Sequence, residues 1–431
     1  MSIRMDEPIK IDKYDDERYV YYYPDNGEIV LAANKPASKK LHYNPYWDNE
    51  KNFEFQRLAI RITGNCNMRC EYCFTEYHKY CGIIKEEYYK KSIEDFFAAN
   101  KNDSTLGVIL TGGEPLLYKN IIKDIAKKIK QCSIKYNKKF KISIYTNGTL
   151  IDDEYIEIFK DYNIHIITSV DGEENFHNKY RPMKNKDNAY QILLDKLTLM
   201  HKNNIWTTEV RSVIEKDETD LIKVINNNIS LGFSRMHLIP IYGQKSRQVD
   251  KNYKSWIDAI KVYEKILLSG NNIEIIPFYN MYRKLALPNQ FYTSYVPCDA
   301  GRRSITIGDD GNYHLCSHFV GSEDTCVGNY LYGIPNKDKI YNLINNCTST
   351  ICEKCWAKRL CGGACYHRAF LKKDPQNSDD CSNWRKVLKE IIMSYARIYN
   401  SNNKECLRFL YDNNTKLPDV IKRDIINKFS I

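Results

Sequence analysis

The sequence predicts an α/β fold, an open and partial (β/α)6 barrel that runs into a cysteine-rich C-terminal extension. Three observations predict it. Six short apolar segments alternate with helical patterns between residues 56 and 245, the rhythm of parallel βαβ units. Four loops of unusual composition, GNCNMRCEYC, TGGEP, TNG and SVDG, each follow one of those segments, so they gather on one edge of the sheet. A second group of cysteines crowds a glycine-rich region from residue 298 to about 381.

The elements follow in order. Residues 1–55 are polar and aromatic, and YVYYYPDNGEIVLAA predicts two strands around a PDNG turn. Proline-bearing NKPASKK and YNPYWDNEK then read as linker. Residues 56–245 hold the six strands: LAIRIT, GVILTGGEP, KISIYTNG, HIITSVDG, TTEVRSVI and RMHLIPI. Between them lie EEYYKKSIEDFFAAN, IIKDIAKKIKQC, DDEYIEIFKDY, NAYQILLDKLTLMHKN and TDLIKVINNNISLG. Six such units make an open barrel rather than the closed eight, with its site at the carboxyl ends of the strands. Residues 246–297 read as a helical connection and 298–385 as a short-stranded extension. The tail, 386–431, follows from the amphipathic helix WRKVLKEIIMSYARIYN.

Bulk properties narrow the function. The chain has 431 residues, of which 43% are hydrophobic, enough for a normal core. Its start, MSIRMDEPIKIDKYDDERY, is charged and has no export signal. No apolar run of about 18 residues occurs, so no membrane span is expected. A cytoplasmic, reducing location follows as the expectation, and there 15 cysteines are metal ligands before they are disulfides. The formal charge of +10 is spread along helices and reads as solvated faces. Without a helix-turn-helix signature or an aromatic-plus-basic single-strand motif, no nucleic-acid partner is expected.

Cys66, Cys70 and Cys73 stand at CxxxCxxC spacing. A fully ligated [4Fe–4S] cube takes four thiolates. Three leave one iron open for a small molecule that binds through an amine and a carboxylate. The alternative is a zinc ion that borrows a distant fourth ligand.

At this point CNMRCEYCF resembles the signature of the radical S-adenosylmethionine (SAM) superfamily, and the resemblance extends over residues 56 to 385. It implies a [4Fe–4S] cluster on Cys66, Cys70 and Cys73 that binds SAM. TGGEP, with Gly112, Gly113 and Glu114, resembles the loop that receives the SAM amino group. A carboxylate and backbone carbonyls suit an ammonium, and the glycines permit close approach. SVDGEENFHNKYR resembles the segment that supplies Ser169 for the ribose and Arg181 for the SAM carboxylate. Tyr72 and Tyr242 fall where backbone groups of the family meet adenine. The implied chemistry is reductive cleavage of SAM to methionine and a 5′-deoxyadenosyl radical, which removes hydrogen from a substrate.

The second cysteines run C-x12-G-x4-C through Cys298, Gly311 and Cys316, then C-x2-C-x5-C-x3-C through Cys352, Cys355, Cys361 and Cys365, then Cys381. A zinc ribbon is the simpler reading of the CxxC pair. Yet seven cysteines exceed one zinc site and fall short of two. The order of spacings resembles the SPASM extension of radical SAM enzymes that modify peptides, which holds two auxiliary [4Fe–4S] clusters. Carried over, Cys352, Cys355, Cys361 and Cys381 would complete one cluster. Cys298, Cys316 and Cys365 would leave the other one ligand short, to be filled by Cys326, Cys347, His318, water or a substrate thiolate. Cys81, Cys132 and Cys406 are expected to pack as small apolar residues.

Within that subfamily, CDAGRRSITIGDDGNYHLCSHFVGSEDTCVGN resembles thioether-forming maturases of ribosomally made peptides. This implies a cysteine-containing precursor peptide as substrate and an electron donor such as flavodoxin or ferredoxin. Carbon–carbon crosslinking and epimerising maturases stay open. An anaerobic sulfatase-maturating enzyme is the remaining alternative, but its members carry an aspartate where Ser317 stands here. The edge of YVYYYPDNGEIVLAA is a candidate for capturing a peptide by strand addition.

Overall fold

In a computed structural model of the chain, the structure describes residues 7–24, 27–38, 55–74, 82–101, 105–205, 209–214, 219–240, 253–287, 296–333, 335, 337–347, 352, 354–363, 365–372 and 378–411.

The predicted six parallel strands are present, and the sheet is wider than they are. β1 (Ile9–Lys13), β2 (Tyr19–Tyr22) and β3 (Ile29–Ala32) form a separate antiparallel sheet. The barrel strands are β4 (Arg57–Thr63), β5 (Leu106–Gly112), β6 (Phe140–Thr146), β7 (Ile164–Ser169), β8 (Glu209–Ile214) and β9 (Arg235–Pro240). Four flanking strands, β10 (Glu274–Ile276) on one side and β11 (Ser304–Ile307) with β12 (Asn312–His314) and β13 (Gly328–Asn329) on the other, complete ten in the order β10-β9-β8-β7-β6-β5-β4-β11-β12-β13.

Alternation along the strands fixes which side chains reach the site. In β8, Val210, Ser212 and Ile214 are buried, whereas Glu209, Arg211 and Val213 are half-buried. Val210 and Ile214 join one apolar cluster with Leu193, Leu197, Val224 and Ile225 of the covering helices. The other set therefore faces the inside of the barrel. The crossovers are α1 (Glu86–Ala99), α2 (Lys119–Tyr136), α3 (Asp153–Asp161), α4 (Glu174–Tyr180), α5 (Ala189–Lys202) and α6 (Leu221–Ser230). Several begin on acceptor side chains: Asp152 accepts from the Tyr155 N–H at 2.9 Å, Asn188 from Gln191 at 3.0 Å and Asp220 from Ile222 at 3.0 Å.

Two expectations need correction. Residues 246–297 are not wholly helical: between α7 (Tyr253–Leu268) and α8 (Phe278–Ala286) lies β10, parallel to β9 with Glu274 opposite Arg235. Three residues are too few to show a period. The N-terminal hairpin is as predicted, with Tyr22 opposite Ile29, but β1 joins it as a third strand of a sheet separate from the barrel's. It rests instead on the long helix Ser378–Asn400, and the Tyr22 ring meets Trp356 edge-on at 6.2 Å.

β11 runs parallel to β4, with Ser304 opposite Arg57. The cysteine-rich extension is thereby sewn into the barrel's own sheet. A buried ion pair marks the seam: Arg61 Nη1 donates to Asp309 Oδ1 at 2.9 Å, and both side chains are fully buried. Arg61 Nε and Nη2 and Asp309 Oδ2 have no partner. Arg61→Ala is expected to destabilise the fold by about 3–5 kcal/mol, since it strands a buried carboxylate; urea unfolding reads this. Burial pushes the Asp309 carboxyl up to about 6, against the pull of Arg61. The native state thus holds this proton to higher pH than the unfolded chain does. Stability should fall as pH rises from about 4 to about 6, and Asp309→Asn should flatten that part of the curve.

Candidate active site and cluster-binding loops

The carboxyl ends of β4 to β7 converge as the sequence implied. The cysteine loop leaves β4 and is tied down by the segment after α4. Arg69 N–H donates to Pro182 O at 2.8 Å, Glu71 N–H to Tyr180 O at 3.1 Å and Lys184 N–H to Asn67 O at 3.0 Å. This pairing sets Arg181 beside Cys70. The thiols of Cys66, Cys70 and Cys73 lie within electrostatic reach of one another. Burial first, then Glu114 and Cys73, pushes the Cys66 thiol up to about 11. Burial pushes Cys70 up to about 12, with Arg181 opposing and Cys73 adding to the rise.

The glycines serve the chain's own backbone. A Cβ on Gly113 would stand 2.2 Å from Asn65 O, and one on Gly112, whose φ is +149°, 2.4 Å from Thr63 O. Gly113 N–H donates to Thr63 O at 2.8 Å and Glu114 N–H to Asn65 O at 2.8 Å. The TGGEP loop is therefore stitched to the residues just before Cys66. Glu114 is fully buried. Its Oε1 accepts from Leu116 N–H at 2.9 Å and Thr146 Oγ1 at 2.7 Å, and its Oε2 from Asn147 N–H at 2.8 Å. Burial raises its carboxyl against these donors. A carboxylate has about four acceptor positions, so Oε2 keeps one for an ammonium.

Two residues that motif reading passed over complete the loops. Asn147, of TNG, donates through Nδ2 to Asn67 Oδ1 at 2.8 Å and reaches Cys66 Sγ at 3.9 Å. Asp171, of SVDG, is fully buried. It accepts from the Tyr72 hydroxyl and, at 2.9 Å, from Val213 N–H. Arg181 Nη1 donates to Tyr72 Oη at 2.6 Å and lies 3.7 Å from Asp171 Oδ2. Arg181 Nε is buried without a partner. Ser169 ends β7 on the inner face, level with Arg211 of β8. Tyr242 and Cys81 lie outside the described residues.

The second thiols fall into the two sets carried over from the resemblance. Cys298 and Cys316 each feel Cys365, after desolvation as the first cause; it takes Cys298 up to about 11 and raises Cys316 strongly. Cys361 and Cys381 feel Cys352, and Cys381 also feels Cys355. Burial takes Cys361 up to about 11, with the buried Lys284, whose Nζ donates to Leu360 O at 3.0 Å, opposing. Among candidate fourth ligands, Cys347 is buried and feels Cys365, Cys326 Sγ points to Gly328 O at 3.1 Å, and His318 stacks on Phe74 at 3.8 Å. His318 also lies 5.2 Å from His367, so rings bridge the loop after Cys73 to both Cys316 and Cys365. Cys132 and Cys406 are buried in the core as expected, and Cys132 also approaches Glu94 Oε2 at 3.3 Å.

These donor sets fit iron–sulfur clusters. A cube takes each thiolate on a different iron. Thiols that repel one another as anions suit a cationic centre.

Residues 60–223 match the Radical SAM superfamily. They are a radical SAM domain. The chain is 25% identical over 194 residues to a cysteine-type anaerobic sulfatase-maturating enzyme of Clostridium novyi, a match that covers 42% of this chain and 46% of that one. It is 24% identical over 386 residues to the radical SAM cyclopropyl synthase TigE of Paramaledivibacter caminithermalis, covering 80% and 78%. The solved structure of native anSMEcpe with bound AdoMet and Cp18Cys peptide superposes with a TM-score of 0.64 at 19% identity, over 80% of this chain and 99% of that one. That likeness shows the fold, and the family implies a [4Fe–4S] cluster and SAM. No helix among the described residues is long and apolar enough to cross a membrane.

Proposed function

We propose that the enzyme is a maturase of ribosomally made peptides that joins a cysteine sulfur to a carbon of another residue. The observation that carries this reading is the seam between β4 and β11. It places Cys298 beside Arg57 at the amino end of β4, away from the loop of Cys66, Cys70 and Cys73 at the carboxyl end, with Phe74 stacked on His318 between the sets. A substrate held in the barrel would lie between two thiol-bound centres.

When bound, a cluster on Cys66, Cys70 and Cys73 supplies the electron that cleaves SAM, delivered by a donor of the flavodoxin or ferredoxin type. The chain's own residues position the reactants. Glu114 Oε2 accepts the SAM ammonium, Ser169 the ribose, and Arg181 turns its spare Nε toward the carboxylate. Tyr72 and Asp171 hold Arg181 in place. Tyr242 is assigned to adenine. Cys352, Cys355, Cys361 and Cys381 would hold one auxiliary cluster and Cys298, Cys316 and Cys365 the other. The fourth ligand there is Cys347 or the substrate thiolate. Cys347→Ala decides: an unchanged product yield leaves the position to substrate, and a loss with the cluster's spectrum altered gives it to Cys347.

The test is a mass spectrum. The enzyme is reconstituted without oxygen and given SAM, a reductant and a short cysteine-containing peptide encoded beside it. A product lighter by two hydrogens with one fewer alkylatable thiol supports thioether formation. The same mass loss with every thiol free supports carbon–carbon bond formation, the reading that likeness to a cyclopropyl synthase favours. Oxidation of one cysteine to formylglycine would instead return the sulfatase-maturating alternative, against which Ser317 stands.

The N-terminal sheet is the proposed capture site for the peptide. Its order, β1-β2-β3, leaves β3 as an edge among the described residues, and extended peptides add to such edges. Deleting residues 1–50 should weaken peptide binding without abolishing peptide-free SAM cleavage. Undiminished affinity in fluorescence anisotropy would remove this role.

A further inference from the structure

Four arginines face the inside of the barrel sheet among the described residues, and three of them have a carboxylate. Arg57 pairs with Asp299, Arg61 with Asp309 and Arg235 with Glu274 at 3.1 Å. The fourth, Arg211, lies with its guanidinium 4.4 Å from the centroid of the Tyr145 ring. Among the described residues its side chain makes no ion pair or hydrogen bond.

The nearest carboxylate on the same face is committed elsewhere. Glu209 sits two residues earlier in β8. Its Oε2 takes His165 Nε2 at 2.9 Å, its Oε1 takes His237 Nε2 at 2.6 Å, and Arg235 Nε stands 3.8 Å away. Burial would raise its carboxyl, but the bonds from His165 and His237 hold it well below the usual carboxylate range. Glu209 is thus saturated by β7 and β9, and it leaves Arg211 with an aromatic face and no anion.

The position of Arg211 matters as much as its charge. It is level with Ser169 on the adjacent strand and with His237 on the other side. Strands lie about 4.8 Å apart, so its fork stands one strand from the residue assigned to the SAM ribose. The guanidinium lies over the Tyr145 ring, and an arginine fork held on an aromatic face suits a carboxylate bound by two parallel bonds.

We propose that Arg211 on Tyr145 is an anchoring subsite for a carboxylate of the peptide substrate, an Asp or Glu side chain or the C-terminus, beside the residue to be modified. This rests on the peptide-maturase reading and names a feature its substrate carries. SAM also has a carboxylate, but its assigned partner, Arg181, lies at the cysteine loop next to Cys70.

Reconstituted enzyme without oxygen is treated with phenylglyoxal, and labelling at Arg211 is followed by peptide mass mapping. Three protectants are compared: N-acetyl-glutamate α-amide, its glutamine counterpart, and SAM. For a subsite with a dissociation constant of about 1 mM, about 10 mM of the glutamate compound should slow labelling about tenfold. The glutamine compound should not. Protection by SAM alone would move the carboxylate to SAM and overturn the peptide assignment. Equal protection by the glutamate and glutamine compounds, protection by none, or an Arg211 that is inert from the start would overturn it too. If the mass spectrum shows an unmodified peptide while the glutamate compound still protects Arg211, the fault lies with the reaction and not with the anchor.

Discussion

Replacing Cys70 with Ala should bring SAM cleavage down to the background of the reductant alone. Cys70 is the middle thiol of its loop and is buried at 9% exposure, between the backbone bonds of Arg69 to Pro182 and of Glu71 to Tyr180. Those bonds do not involve the side chain, so the loop should keep its path with alanine there. On the proposed assignment, what is lost is one of three thiolates on a cluster that SAM itself would complete. Two remaining ligands cannot hold the cube against exchange. The measurement is 5′-deoxyadenosine by chromatography, with bound iron and the visible absorbance recorded on the same sample. Iron should fall but not vanish, since the other two thiol sets are untouched. A native rate of 5′-deoxyadenosine formation in Cys70→Ala would sink the assignment of this loop.

Asp171→Ala should be the most damaging change that touches no cysteine. The carboxylate lies fully buried and gathers Tyr72, Val213 N–H and the charge of Arg181. Removing it leaves a buried guanidinium with a tyrosine hydroxyl for company. Breaking a buried pair in this way costs about 3–5 kcal/mol. Thermal unfolding reads that loss, but any structural residue would show it. The discriminating measurement is SAM affinity well below the melting temperature. With Tyr72 and Arg181 released together, the dissociation constant for SAM should rise about tenfold or more, the equivalent of about 1.4 kcal/mol. Asp171→Asn keeps the shape and the Val213 bond, and should fall between the two. A destabilised variant with native SAM affinity would reduce Asp171 to a structural role.

The barrel was legible in the sequence because its strands are long enough to show apolar runs and they alternate with helical patterns. The cysteine sets were legible because thiol spacing is local. What was hidden depended on contacts between distant residues. β10 has three residues and β11 four, too short to announce a period, and the place of β11 is set by a partner far back along the chain. Asp171 stands inside a motif that was noticed for Ser169 and Arg181, and only the fold brings it to Tyr72. Arg211 reads in sequence as one more charge on an alternating strand. Its meaning comes from Glu209, which two histidines on neighbouring strands have claimed. The glycines of TGGEP were expected to admit a ligand, and the structure shows that they admit the backbone of Thr63 to Asn65.

The seam between β4 and β11 also has a consequence in time. Arg61 and Asp309 are 248 residues apart in the chain. At about 5–20 residues per second, roughly 10–50 s of synthesis separate them on the ribosome. Through that interval β4 is an unpaired edge, the kind of surface on which nascent chains aggregate. The N-terminal sheet waits longer still, because the helix that supports it, Ser378–Asn400, follows β11 in the chain. A chain stopped before residue 298 would carry a complete cysteine loop and an open sheet. Closure of this edge of the sheet therefore waits until β11 has been made.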